Sequence, residues 1–147
     1  MRVERETEIA APPEDVYAGV MNPRRLEDWV SIHERLEDAP DGQLKKGSKL
    51  TQCLKLAGRK FSVRWTVVED DRPRRVVWEG EGPIRSQASV TYELEPNDDG
   101  GTSFSYGNEY ELPGGPLGKL AGRTVSRATA GELDKSLERL KRLLEAG

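Results

Sequence analysis

Residues 2–17 read RVERETEIAAPPEDVY, and the change of rhythm inside this stretch decides the fold. Over residues 2–9 the alternation has period two. Val3, Arg5, Thr7 and Ile9 share one face, and Arg2, Glu4, Glu6 and Glu8 share the other. That pattern predicts a half-buried antiparallel strand with a charged outer face. Pro12 and Pro13 then end the strand and can occupy a helix start. Glu14 and Asp15 fall in the first turn, where the helix dipole favours anions. Val16, Tyr17 and Val20 give a short inward stripe, and Asn22-Pro23 opens a second short helix through Leu26 to Trp29.

Downstream, from Ile32, the rhythm is that of strands. Asp41-Gly42 and Lys46-Gly47 mark turns, and Leu50, Gln52, Leu54 and Leu56 share a face within 48–56. Ala57-Gly58-Arg59 is a hairpin-length connection to a strand whose inner set is Phe61, Val63, Trp65 and Val67. After a turn at Asp70 to Pro73, Val76 and Trp78 continue until Gly80 and Gly82-Pro83. Ile84, Ser86, Ala88, Val90, Tyr92 and Leu94 give the longest alternation. Pro96 to Gly101 form a turn, and Phe104, Tyr106, Asn108, Tyr110 and Leu112 close the sheet. Pro113-Gly114-Gly115-Pro116 stops the last strand, and everything beyond reads as one helix of roughly 30 residues. Its apolar stripe runs through Leu133, Leu137, Leu140 and Leu144, extended upstream by Leu117, Leu120, Ala121, Val125 and Ala128.

The expected architecture is α+β: six to seven antiparallel strands curved around a long C-terminal helix, with two short helices after the first strand. A sheet apolar on one face must cover that face, and only the last helix is large enough. A twisted sheet and one helix do not close perfectly, so space remains between them for a cavity. The inner face mixes aromatics with Thr7, Gln52, Ser86 and Asn108, and Gly118, Ala121, Gly122 and Ala128 leave room on the helix. Residues 1–147 read as a single domain, without repeats or low-complexity linkers.

Composition narrows the function classes. Of 147 residues, 33% are charged and the net charge is -3. A nucleic-acid binder carries a basic excess, so none is expected as partner. No apolar run approaches the ~20 residues of a membrane span, and the N-terminus lacks the continuous apolar stretch of a signal peptide. One cysteine cannot form an internal disulfide, which fits a cytoplasmic location. One histidine cannot build a three-histidine metal site. No metal and no cofactor are expected.

The order of elements, with Ile9 to Tyr17 (IAAPPEDVY), Trp29 and the strand–turn run Val68 to Pro73, resembles the START/Bet v 1-like (SRPBCC) superfamily across nearly the whole chain. It looks most like the polyketide cyclase/dehydrase and lipid-transport branch. The segments Trp29 to His33 and Pro113 to Gly118 resemble an actinobacterial subgroup. The resemblance implies a helix-grip fold with a hydrophobic tunnel for lipids, quinones, polyketides or hormones. It also implies relatives that act as aromatase/cyclases, quinone-binding proteins, lipid carriers or toxin halves of toxin–antitoxin pairs. The cyclases of this family use arginines inside the tunnel. Here Arg64 and Arg85 fall on the outer face by alternation, leaving only Arg5, so no catalytic residue is carried over.

The function expected is therefore the binding of a small hydrophobic molecule between the helix and the sheet. The alternatives are a polyketide cyclase/dehydratase-type enzyme and a toxin half. Trp29, Trp65, Trp78, Tyr92, Phe104, Tyr106 and Tyr110 would supply apolar contact, and Gln52, Ser86 and Asn108 would orient a polar end. His33, whose ordinary pKa lies near neutrality, is the best catalytic candidate and a lining residue. A Ser31–His33 pair lacks the G-x-S-x-G elbow and is discounted. Cys53 faces away from the leucine face and reads as inert packing. Glu69-Asp70-Asp71 and Asp98-Asp99 sit in turns that favour Asp on their own account. The cations at 72–75 and along the last helix read as a solvated, charge-alternating face. Transient membrane contact and a protein partner are left open by the residues.

Overall fold

The computed structural model describes residues 2–56, 58–111 and 115–146, and of residues 115–126 it describes the helical backbone. The expected side-chain roles of Leu112, Leu117, Gly118, Lys119, Leu120, Ala121, Gly122, Arg123 and Val125, and the turn at Pro113-Gly114, lie outside the described residues.

Strand β1 (Arg2–Ile9) is followed by helix α1 (Pro13–Val20), a 3-10 turn (Pro23–Arg25) and helix α2 (Leu26–Trp29). Strands β2 (His33–Asp38), β3 (Lys49–Leu56), β4 (Arg59–Asp71), β5 (Arg75–Glu81), β6 (Gln87–Pro96) and β7 (Thr102–Glu111) come next, then helix α3 (Gly115–Glu145). The strands form one seven-stranded antiparallel sheet in the order β1-β7-β6-β5-β4-β3-β2. The helices inserted after β1 separate it from β2, so the first two strands become the two edges of the sheet. The fold is the expected α+β helix-grip arrangement.

Period-two alternation sets the buried face where strands are regular. On β4, Val63, Trp65 and Val67 are buried, as are Val90, Tyr92 and Leu94 on β6 and Phe104 and Tyr106 on β7. One glycine is demanded by this packing. Gly80 lies directly across from Trp65, and a Cβ there would sit 2.5 Å from the Trp65 ring and 2.6 Å from Val63. The missing side chain leaves room for the indole over β5.

One reading needs correction. The strand assigned to begin at Ile84 begins at Gln87. Pro83–Arg85 form a 3-10 turn in which Ile84 and Arg85 take φ values of 55° and 57°, and Ile84 is 83% exposed. Ser86 caps this turn, its hydroxyl donating to the Pro83 carbonyl at 2.7 Å, and does not face the interior. On α3 the expected leucines are buried, and Leu144 packs against the core partly covered. The stripe runs through Thr129, Leu133, Ser136, Leu137 and Leu140, all buried, with Ala128 only partly covered.

The described half of α3 is fastened to β1 and to the α2–β2 connection. Leu133, Leu137 and Leu140 bury nearly all of their surface, each contributing about 1.5–3 kcal/mol. Lys141 Nζ donates to the Glu8 carbonyl at 2.8 Å, the Glu145 carboxylate accepts from the Ala10 N–H at 2.9 Å, and Asp134 pairs with Arg5 at 3.2 Å. Arg5 thus lies on the helix side of β1 but at its exposed rim. Ser31 makes the inner fastening: its N–H donates to Ser136 Oγ at 2.9 Å and its hydroxyl donates to the Glu132 carboxylate. Burial pushes the Glu132 carboxyl up, but the hydrogen bonds from Ser31 and Lys135 outweigh it, and the net displacement is downward. On the other flank, the Tyr17 hydroxyl of α1 lies 2.8 Å from both Asp70 oxygens, with the Arg72 guanidinium 5.0 Å above its ring.

Candidate functional site

The inner face of the sheet carries a connected wall of aromatic rings. Trp65 and Trp78 meet at 6.0 Å between ring centroids, Trp78 and Tyr92 at 5.6 Å, and Tyr92 and Phe104 at 5.7 Å. Tyr92 also meets Tyr106 at 5.4 Å, and Trp29 reaches across from α2 to Tyr106 at 5.4 Å and Tyr92 at 5.9 Å. Most of these pairs are tilted or edge-on, the geometry that ring quadrupoles favour. Tyr92 is the hub. All six rings are buried, from 0% to 4% exposed.

Polar atoms are set into this wall. The Trp65 indole N–H donates to Gln52 Oε1 at 3.0 Å, and Gln52 Nε2 lies 2.8 Å from His33 Nδ1. An indole nitrogen can only donate, so it fixes which end of the Gln52 amide faces it. The amide NH2 must then face His33, whose Nδ1 accepts, and neutral His33 carries its proton on Nε2. Burial holds the His33 pKa below its ordinary value, against the opposing pull of Glu27 and Glu34. The outer side of His33 borders a cleft of about 300 Å3 together with Pro23, Arg24, Glu27 and Arg35. A buried hydrogen-bonded chain therefore runs from the aromatic wall to the surface.

The Tyr106 hydroxyl is reached by the Asn108 side chain, while burial pushes its pKa up to about 12. Burial also raises Tyr92 well above the ordinary tyrosine range. Among the described residues, three buried side-chain polar atoms have no hydrogen-bond partner: Nε1 of Trp29, Nε1 of Trp78 and Oγ1 of Thr129.

The structure thus brings together Trp29, Trp65, Trp78, Tyr92, Phe104 and Tyr106, with Gln52 and His33 at one side and Asn108 at another. Tyr110 is half-buried at the far end of β7, and Ser86 is excluded. Thr129, Ser136 and Glu132 escaped the reading of the chain. The signal for Thr129 and Ser136 was present, because they fall four before and three after Leu133, within the stripe. Ser31 is engaged with Glu132 and Ser136.

A broader depression of about 860 Å3 opens over β3 to β7 and is lined chiefly by outward-facing residues, including Thr51, Arg64, Thr66, Glu79 and Glu81. Arg64 and Glu81 pair there at 3.4 Å. Among the described residues no group of three or more His, Cys, Asp or Glu is placed to hold a metal ion. No helix among them is long and apolar enough to cross a membrane. Several of the cations at 72–75 and along α3 are paired: Arg72 with Glu14, Arg75 with Glu69 and Glu93, Lys135 with Glu132, and Lys141 with Glu145.

The sequence profile for polyketide cyclase/dehydrase and lipid transport proteins matches residues 1–145. The chain belongs to this family. The uncharacterized protein Rv1546 of Mycobacterium tuberculosis is 28% identical over 141 residues, which cover 96% of each chain. Among solved structures, TTHA0849 from Thermus thermophilus superposes with a TM-score of 0.82 at 22% identity, covering 99% of this chain and 98% of that one. A conserved protein from Geobacillus kaustophilus gives 0.78 at 16% identity, covering 99% and 96%. At these identities the structural matches establish the fold. In this family member, the inner face of the sheet carries the aromatic wall and its embedded polar atoms.

Proposed function

We propose that this family member is a cytoplasmic binding protein for a small hydrophobic molecule of lipid, quinone or polyketide type, held between α3 and the inner face of the sheet. The observation that carries this reading is the make-up of that face: a wall of contacting rings in which buried polar atoms are left without partners. A core shaped for stability alone pairs or excludes such atoms, because each one left unpaired costs about 1–3 kcal/mol. Family membership supports the same reading.

The test is native mass spectrometry of the purified protein with organic extraction of anything bound, repeated on a Trp65→Ala, Tyr106→Ala double variant. A discrete added mass in the parent and none in the folded variant is the expected result. Equal uptake by both would remove the wall from the site. The enzymatic reading rests on His33, whose neutral ring has Nδ1 held by Gln52 and Nε2–H free of that bond. Full turnover of a polyketide substrate by His33→Ala would end that reading.

A further inference from the structure

Three side chains on three neighbouring strands form one hydrogen-bonded chain. Trp65 of β4 donates to Gln52 of β3, and Gln52 lies 2.8 Å from Nδ1 of His33 on β2. The chain has no slack at its inner end. Trp65 and Gln52 are buried, and an indole N–H donates and never accepts. His33 must therefore accept from the Gln52 NH2 group, which only an unprotonated Nδ1 can do. The outer end is open. His33 is half-buried and lines the small cleft with Arg24, Glu27, Glu34 and Arg35. A polar contact inside the wall is thus tied to a ring that solvent protons reach.

An imidazolium in this place leaves two donors opposed whichever way the Gln52 amide is turned. Relief lies on the cleft side. The described charged groups around the ring there are Arg24 from the 3-10 turn, Glu27 from α2, and Glu34 and Arg35 from β2 itself. The two arginines are engaged elsewhere, Arg24 with the Pro40 carbonyl and Arg35 with Glu37. Both carboxylates favour the charged ring. Glu34 is shared with Lys60 of β4 at 3.4 Å, while Glu27 has no ion-pair partner among the described residues. Strand β3 faces the ring with Gln52 and Leu54, which are neutral. On α3, Glu132 is held by Ser31 and Lys135. Charging the ring therefore weakens its hold on Gln52 and strengthens its pull toward Glu27.

We infer that His33 is a proton-operated latch on the aromatic wall: neutral, it anchors Gln52 and through it Trp65, and protonated, it leaves Gln52 and turns toward Glu27 at the cleft. The Gln52 amide is then held at one end alone, and the Trp65 N–H bond loosens with it. Trp29 and Trp78, whose indole nitrogens have no partner in this chain of bonds, are left as they were. The latch is built from the protein's own side chains and needs no ligand.

Nuclear magnetic resonance of the 15N-labelled wild-type protein reads each part of the latch between pH 8 and pH 5. At pH 8 the His33 ring should carry its proton on Nε2. As the ring titrates, with a midpoint below the ordinary 6.5, the Gln52 NH2 pair should shift and the Trp65 indole N–H should move upfield, both with the midpoint of the ring. The Trp29 and Trp78 indole peaks should stay in place. Two variants separate the relay from a through-space effect of the charge. In Gln52→Leu the ring should titrate without Trp65 following it. In His33→Gln, whose amide oxygen accepts from Gln52 at any pH, the Trp65 peak should be flat. A wild-type Trp65 peak that stays flat while His33 titrates overturns the latch, and so does one that keeps the same midpoint in either variant. A proton on Nδ1 at pH 8, or a ring that remains neutral down to pH 5, overturns it as well.

Discussion

Gln52 and Trp65 orient one another across neighbouring strands. The indole N–H of Trp65 reaches Gln52 Oε1 at 3.0 Å, and both side chains are buried, at 4% and 3% exposed. Because the indole can only donate, the amide has one permitted orientation, and its NH2 group is committed to His33 Nδ1. One interior donor thus dictates the tautomer of a histidine that borders a surface cleft.

Replacing Gln52 with leucine keeps much of the volume and removes both ends of the chain. The Trp65 N–H then has no partner in a buried setting, and destabilisation of about 1–3 kcal/mol is expected. Urea unfolding followed by tryptophan fluorescence measures it. Gln52→Glu is the informative companion, since a carboxylate still accepts from Trp65 but cannot donate to His33 Nδ1, and protonated His33 donates from Nδ1 to the carboxylate instead. Its stability should improve relative to wild type as the pH is lowered from 7 to 6.

Gly80→Ala tests the close approach of β5 to Trp65. The added methyl meets the indole at 2.5 Å and Val63 at 2.6 Å, distances that force the ring to move. Overpacking of this kind costs about 1–3 kcal/mol. A tryptophan emission spectrum shifted to the red, together with that loss, is the expected outcome. An unchanged spectrum and midpoint would mean that Trp65 does not rest on Gly80.

The fold was legible because strand alternation and the proline-punctuated entry to α1 are local signals. Where local geometry broke the rhythm, the reading failed. At Pro83–Arg85 two consecutive residues adopt left-handed conformations, so the apparent alignment of Ile84 and Ser86 with Ala88 was coincidence of spacing. The aromatic wall could be listed from parity, since Trp65, Trp78, Tyr92, Phe104 and Tyr106 sit on regular strands. The His33–Gln52 bond could not. It depends on how β2 pairs with β3, and that pairing shifts twice, between His33 and Arg35 and between Leu36 and Asp38. Ser31's attachment to Glu132 and Ser136 was equally hidden, because it joins residues more than a hundred positions apart.

The tyrosines offer a test of burial that is independent of any ligand. Burial raises Tyr92 and Tyr106, the latter to about 12, and Tyr17 is raised by burial and by its bond to Asp70. All four tyrosines of the unfolded chain should ionise near pH 10. In the native protein, titration followed by ultraviolet absorbance should leave Tyr17, Tyr92 and Tyr106 protonated at that pH, and adding urea should release them. Full ionisation of the native protein near pH 10 would contradict the closed aromatic wall.

His33 supplies the pH dependence. Burial disfavours its charged form, so its folded pKa lies below the ordinary 6.5 despite Glu27 and Glu34 nearby. Between the two values the unfolded chain binds more protons than the folded one, and stability must therefore fall as the pH drops. The loss begins near pH 7, grows through 6.5, and is complete below the folded pKa. The hydrogen-bonded chain gives the same sign. A proton on Nδ1 faces the Gln52 NH2 group, and turning the amide to accept it would set that NH2 against the Trp65 N–H. Each arrangement of the protonated state therefore leaves two donors opposed. Thermal melts of wild type and His33→Gln from pH 8 to pH 5 isolate the contribution, because the carboxylates titrate in both proteins. The wild type should lose more than the variant across pH 7 to 5.5. Parallel curves over that range would show that His33 titrates identically in the folded and unfolded chain, and that the bond to Gln52 does not select its neutral form.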